Sequence, residues 1–178
     1  MKKKLFIGVL LLGLIITITG CSKDKVVKKI KKEDPDKKIV LKDESFGTTT
    51  MTYSKDKDYV IKEDNSGKYT ELTITSETEG FELQIYHIDI TSAGFGTSKA
   101  NRSGSTGFME YTWNSLKGYT YNADKNMISF NILLKDNSNS SKALFGQMSS
   151  TNTNTNVEEI FRSEEFQKIL NSITFEEK

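Results

Sequence analysis

The sequence predicts an α+β domain: an antiparallel β-sheet of about six or seven strands with a C-terminal α-helix packed on one face. Three observations lead there. Aromatic residues and threonines are dense through the middle of the chain, a composition that favours strands over helices. Apolar positions alternate in short runs between turn residues, most clearly Ile128, Phe130, Ile132 and Leu134 against Ser129 and Asn131. Only near the end does the period change, where Phe166, Ile169, Leu170 and Ile173 follow the i, i+3, i+4, i+7 spacing of a helical stripe. From Glu44 onward about 135 residues remain, one domain of ordinary size with enough chain to bury a core.

The elements follow in order. Ile39-Val40-Leu41 starts a short strand, and Thr48 to Tyr53 is threonine-rich and extended. The charged Lys55 to Asp58 turns the chain into Tyr59-Val60-Ile61. Asp64-Asn65-Ser66-Gly67 is a stronger turn, joining side chains that bond their own backbone to a glycine. Leu72 and Ile74 alternate in the next strand. Phe81, Leu83 and Ile85 alternate in the one after, until Tyr86, Ile88 and Ile90 take the opposite face, which predicts burial on both sides or a bulge. Thr91 to Gly107, with Gly94, Gly96, Gly104 and Gly107 among serines, reads as a long loop of the kind that is usually functional or mobile. Strands resume at Phe108 to Trp113 and at Tyr119-Thr120-Tyr121. A turn at Asn122 to Asn126 leads into the strand of Ile128. After a polar turn at 136–141, Ala143 to Met148 forms one more strand and 149–156 a polar linker. Ser163 is a suitable N-cap with Glu164 and Glu165 in the first turn, while Asn156 and Glu159 offer an earlier start, so the helix has two segments. Ile173-Thr174-Phe175 is a final strand.

At the N-terminus, Lys2, Lys3 and Lys4 precede an uncharged, largely apolar run from Leu5 to Thr19 of fifteen residues. This is the layout of a secretory signal, too short for a comfortable transmembrane span. It ends in Ile18-Thr19-Gly20-Cys21, which resembles the lipobox of bacterial lipoproteins slot by slot. That resemblance implies a signal peptide over 1–20 and a diacylglycerol on Cys21. It places the protein at the cell membrane, lipid-anchored on the extracytoplasmic face. Cys21 is the chain's single cysteine, so an intramolecular disulfide is excluded. Two acyl chains exceed what one chain gives for stable attachment, at about 0.8 kcal/mol per buried methylene.

Without the leader the formal charge is −2, but unevenly spread. Residues 22–43 carry nine lysines against five acids, and 44–178 carry 13 basic against 19 acidic residues. Residues 21–43 therefore read as a lipidated cysteine with a basic tether, and 44–178 as a single acidic domain. Anionic headgroups attract such lysines by about 1 kcal/mol each. Behind a lipidated cysteine, the lysine run points to a solvated tether and not to nucleic acid.

The ending Phe166-Gln167-Lys168-Ile169-Leu170-Asn171-Ser172-Ile173-Thr174-Phe175 resembles the terminal F-x-x-I-L-x-S-I-x-F of PsbP-like bacterial domains, relatives of the PsbP extrinsic subunit of photosystem II. The order of elements before it is similar as well. Tyr53 to Tyr59 lacks the proline and tryptophan of the family's aromatic-Pro-x-x-Trp turn. The resemblance implies the sheet-and-helix fold and binding or assembly roles; it carries over no catalytic residue.

Candidate chemistry is sparse. His87 is the only histidine and so the only ready general base, with Asp89 on the same strand face and serines in the 91–107 segment as partners for a hydrolase reading. Ser103 to Gly107 lacks the G-x-S-x-G spacing, and a structural or surface role for His87 is favoured. Asn122-x-Asp124-x-Asn126 resembles the start of a calcium loop but has Met127 and Leu133 where glycine and glutamate belong. Gly94 to Lys99 lacks phosphate-loop spacing. No zinc set and no cofactor is expected. The aromatic pairs Tyr111/Trp113 and Tyr119/Tyr121 are the best lead: exposed, they make a platform for sugar rings or a partner surface; buried, they are core, the favoured reading. The expectation is a non-catalytic binding domain for an envelope protein or a glycan. The alternatives are an accessory subunit of an envelope or transport complex and a hydrolase centred on His87.

Overall fold

The computed structural model describes residues 36–67, 69–137 and 140–178. The leader, the Ile18–Cys21 motif and the tether as far as residue 35 lie outside the described residues. Ten strands and three helices follow: β1 (Lys37–Asp43), β2 (Gly47–Tyr53), β3 (Val60–Asp64), β4 (Glu71–Ser76), β5 (Phe81–Ile90), α1 (Ser92–Arg102), β6 (Met109–Trp113), β7 (Leu116–Asp124), β8 (Met127–Lys135), β9 (Ser141–Ser150), α2 (Val157–Arg162), α3 (Glu164–Asn171) and β10 (Thr174–Glu177). The last part of the stretch expected as tether, Lys37–Asp43, is strand β1, paired along its whole length with β2.

The α+β class and the antiparallel sheet are as expected, but the strands divide between two sheets. A large sheet has seven strands in the order β3-β4-β5-β9-β8-β7-β6, and a small sheet has three, β1-β2-β10. The large sheet is buried on both sides in its centre, which is why β8 shows an unbroken buried run from Ile128 to Ile132 and not a clean alternation.

One face of the large sheet meets the small sheet and the C-terminal helices. There Leu72, Ile74, Phe81, Leu83, Ile85, Phe130, Ile132 and Met148 pack with Ile39, Leu41, Phe46 and Met51 of the first hairpin. Phe161, Phe166, Ile169 and Leu170 from the helices complete that core. The helix is in two segments as its two start signals predict: the Asn156 side chain accepts from the Glu158 and Glu159 amides, and Ser163 accepts from Phe166. The opposite face carries a smaller core of Phe95, Tyr119, Tyr121 and Ala143, with Ile88, Ile90, Phe108 and Leu133 against it.

That second core overturns the long loop expected over 91–107. Ser92–Arg102 is a helix, because the Thr91 hydroxyl caps the Gly94 amide and Phe95, 7% exposed, anchors the turn on the sheet. Two glycines had masked a capped helix with one apolar contact. Only its tail, from Ser103 to Gly107, is irregular.

Two positions fix close packing. A Cβ on Gly146 would fall inside the ring of Phe130, its direct cross-strand partner. Asn114 and Ser115 both have positive φ, 45° and 71°, in the tight turn closing Trp113 on Leu116. We expect Gly146→Ala to lower stability by about 1–3 kcal/mol through overpacking, and Ser115→Gly to raise it by about 1 kcal/mol by relieving a left-handed non-glycine residue. Urea unfolding midpoints at constant slope check both.

Candidate functional site

Register decides where the aromatic pairs go. The two-residue turn pairs Trp113 with Leu116, Tyr111 with Gly118 and Glu110 with Tyr119. Tyr111 and Trp113 therefore share a face with Gly118, and Tyr119 and Tyr121 lie on the other. Trp113 is 1% exposed, stacks on Tyr111 at 4.8 Å and donates from Nε1 to Gln167 Oε1 at 2.8 Å, which ties β6 to α3. Tyr119 is fully buried under α1, in edge contact with Phe95 at 5.5 Å, and its hydroxyl is 2.8 Å from Ser98 Oγ. Burial raises the Tyr119 phenol's pKa above its ordinary value. The four rings thus divide between the two cores, and the exposed platform that they would have formed is not there. Tyr111 alone keeps a partly exposed edge, with Arg162 Nη1 donating to its hydroxyl at 3.1 Å.

His87 is fully buried on the face covered by the small sheet. Its ring stacks on Phe46 at 4.3 Å, meets Phe175 edge-on at 6.1 Å, and places Nε2 2.8 Å from Thr49 Oγ1. Nδ1 has no hydrogen-bond partner among the described residues. The serines proposed as nucleophiles belong to α1 and its tail on the opposite side of the sheet, so the structure does not assemble that triad. His87 instead joins the two sheets, linking β5 to β2 and β10. Burial, aided by Lys142 and opposed by Asp43, lowers its pKa from 6.5 to about 4.

What the structure does bring together is the 91–107 segment and strand β6. Between α1 and the β6–β7 edge runs a groove of about 440 Å³ lined by Ser92, Phe95, Gly96 and Lys99 on one side and Glu110, Tyr111, Thr112, Lys117 and Gly118 on the other, with Leu133 and Asp136 at its end. This is within the usual size range of small binding clefts. Phe95 and Leu133 supply apolar surface; Lys99 and Glu110 bridge it at 3.0 Å. Gly96 leaves its wall open, since a Cβ there meets no atom within 4 Å. Asp136 accepts from Ser141 Oγ at 3.2 Å, while Lys117 makes no ion pair among the described residues. A second hollow of about 410 Å³ beside Tyr53 and Ile169 is lined by Asp36 and by two engaged carboxylates, Glu164 with Lys168 and Glu165 with Lys57, each at 2.8 Å.

Sequence reasoning offered the 91–107 segment, with Phe95, Gly96 and Lys99, as a binding element but read it as loop, and it missed Lys117. The available signal was Thr91 as N-cap followed by Phe95, with Lys99 and Arg102 in the last turn. Among the described residues no group of three or more His, Cys, Asp or Glu side chains is placed to hold a metal ion, and no helix is long and apolar enough to cross a membrane. Compared with protein-family models, with curated proteins and with solved structures, the chain matches none.

His87 sets a pH dependence. Between pH 6.5 and about 4 the unfolded chain binds a proton at this ring and the folded chain does not, so stability is fully present above 6.5 and falls with acidification, by about 3 kcal/mol for the whole interval. Asp43, held below its ordinary value chiefly by the Ser45 hydroxyl, and Glu177, held down by Lys135, add losses at still lower pH. Urea unfolding across pH 4 to 6.5 is expected to show a steeper decline for wild type than for His87→Gln; parallel curves would sink the assignment.

Proposed function

We propose that this chain is a lipid-anchored extracytoplasmic lipoprotein carrying a PsbP-like, non-catalytic domain that binds a protein or a glycan in the α1–β6 groove. The observation that carries the reading is the groove itself: an open cleft with an apolar floor at Phe95 and Leu133 and a charged rim at Lys99, Glu110 and Lys117. Anchoring is supported by the basic and apolar leader ending in Ile18-Thr19-Gly20-Cys21 and by the surplus of lysines between Cys21 and the acidic domain. The PsbP-like assignment is supported by the Phe166–Phe175 ending and by the succession of hairpins, helix pair and last strand. The burial of His87 away from the groove supports a binding role over one centred on that ring.

Two outcomes follow. Cys21→Ser is expected to move the protein from the membrane fraction to the soluble exported fraction and to abolish palmitate incorporation; Cys21 found unmodified in purified membranes would overturn the anchor. Gly96→Trp, which fills the groove from a position open to a side chain, is expected to weaken ligand capture at least tenfold while leaving the urea midpoint in place. Photocrosslinking from Lys99 in intact cells, with and without Gly96→Trp, reads that loss.

A further inference from the structure

The two sheets present four edges, and three are guarded. Strand β1 bears Lys37, Lys38, Lys42 and Asp43; β3 bears Lys62, Glu63 and Asp64; β10, only four residues long, bears Glu176 beside a Glu177 that Lys135 and Lys142 engage. Charges on an edge strand oppose the docking of a further strand. Strand β6, Met-Glu-Tyr-Thr-Trp, ends the large sheet with a single charge, Glu110, already neutralised by Lys99.

Its register states which main-chain groups face outward. The turn at Asn114-Ser115 makes Trp113 and Leu116 the closing hydrogen-bonded pair. In an antiparallel ladder such pairs alternate with open ones, so Met109, Tyr111 and Trp113 bond to β7 while Glu110 and Thr112 aim their N–H and carbonyl groups away from the sheet. Among the described residues no hydrogen bond reaches those outward groups. Glu110 and Thr112 also direct their side chains to the α1 face, because Glu110 pairs with the buried Tyr119 and with Lys99 of α1. A strand laid along β6 would therefore send alternate side chains into the groove.

Resting on the binding reading above, we infer that β6 takes an extended segment of a partner polypeptide as an eighth strand of the large sheet, its alternate side chains entering the α1–β6 groove. Main-chain bonds to Glu110 and Thr112 hold the segment. Phe95, which packs on Tyr119 in the row of Glu110, selects an apolar side chain beside Glu110. The segment residue beside Thr112 lies in the same row as Lys117, two strand spacings or about 10 Å away, a gap that a lysine and a glutamate span together; a carboxylate is favoured there. A second copy of this chain fits worse. Its own β6, antiparallel, would bring Glu110 and Thr112 into the groove, adding a carboxylate beside the first and nothing apolar for the floor.

A phage-displayed library of random twelve-residue peptides, panned on the full chain in detergent micelles, supplies the probe. Selected peptides are expected to alternate in polarity and to carry an acidic residue. In fluorescence anisotropy their Kd should rise at least tenfold with Thr112→Pro, which removes one outward N–H and leaves the β6–β7 ladder whole. Gly96→Trp should do the same, and Lys117→Glu should weaken binding about fivefold without touching the main chain, which serves if the proline variant does not fold. Loss with Gly96→Trp but not with Thr112→Pro or Lys117→Glu overturns strand addition and leaves the groove as the site. Binding indifferent to all three, or no peptide selected, overturns the inference, and indifference to Gly96→Trp removes the groove reading with it. A wild-type dimer in light scattering that Thr112→Pro converts to monomer assigns the edge to a second copy and overturns the partner segment.

Discussion

Burial of the large sheet from both sides is the constraint on which the rest of the structure depends. Strands β8 and β9 present Phe130, Ile132 and Leu144 to one side and Ala143 and partly buried Leu133 to the other, so neither face can be left to water across the centre. On the first side the cover is substantial: a second sheet and two short helices, clamped by the Trp113–Gln167 hydrogen bond and by the stack of His87 on Phe46. On the second side it is only α1 and Phe108 at the end of its tail. The groove exists because an eleven-residue helix is narrower than the sheet it covers.

The two covers also differ in how firmly they are held. The first contributes a continuous core, and the buried His87 is tolerated within it at the expense of one ring nitrogen without a partner. The second rests on Phe95, whose burial stabilises by about 1.5–3 kcal/mol, against a glycine at 96 that costs about 1 kcal/mol relative to alanine in a helix interior. The Thr91 cap and the Ser98–Tyr119 hydrogen bond make up part of the difference. Local opening of α1 is thereby cheaper than opening of the strands beneath it.

Much of the fold was legible in the sequence where local chemistry decides it. The Asp64–Gly67 and Asn122–Asn126 turns, the caps Asn156 and Ser163, and the change of period at Phe166 each announce an element, because backbone preference and side-chain hydrogen bonding act over a few residues. What depended on distant packing was not legible. No local signal says that β1, β2 and β10 leave the main sheet, since Thr48–Tyr53 alternates equally well in either. Composition read the glycine- and serine-rich 91–107 segment as loop, yet one phenylalanine on a sheet face outweighed it. For the aromatic pairs, the deciding fact was parity: a two-residue turn at Asn114-Ser115 puts Tyr111 opposite Gly118 and not opposite Tyr119, so one shift of register separates a single platform from two buried clusters. The groove was half legible, as the segment and the tyrosine were both noted but their adjacency is tertiary.

The contrast among the four strand edges has a consequence for valency. A sheet with two plain edges can grow from either end, and copies then join without limit. Here the far edge of the large sheet ends in Lys62, Glu63 and Asp64, and both edges of the small sheet are charged. Two copies meeting through β6 would use up both plain edges and leave only charged ones outward, so copies of this chain do not join edge to edge beyond a pair. Crowding copies together therefore does not seed a fibre.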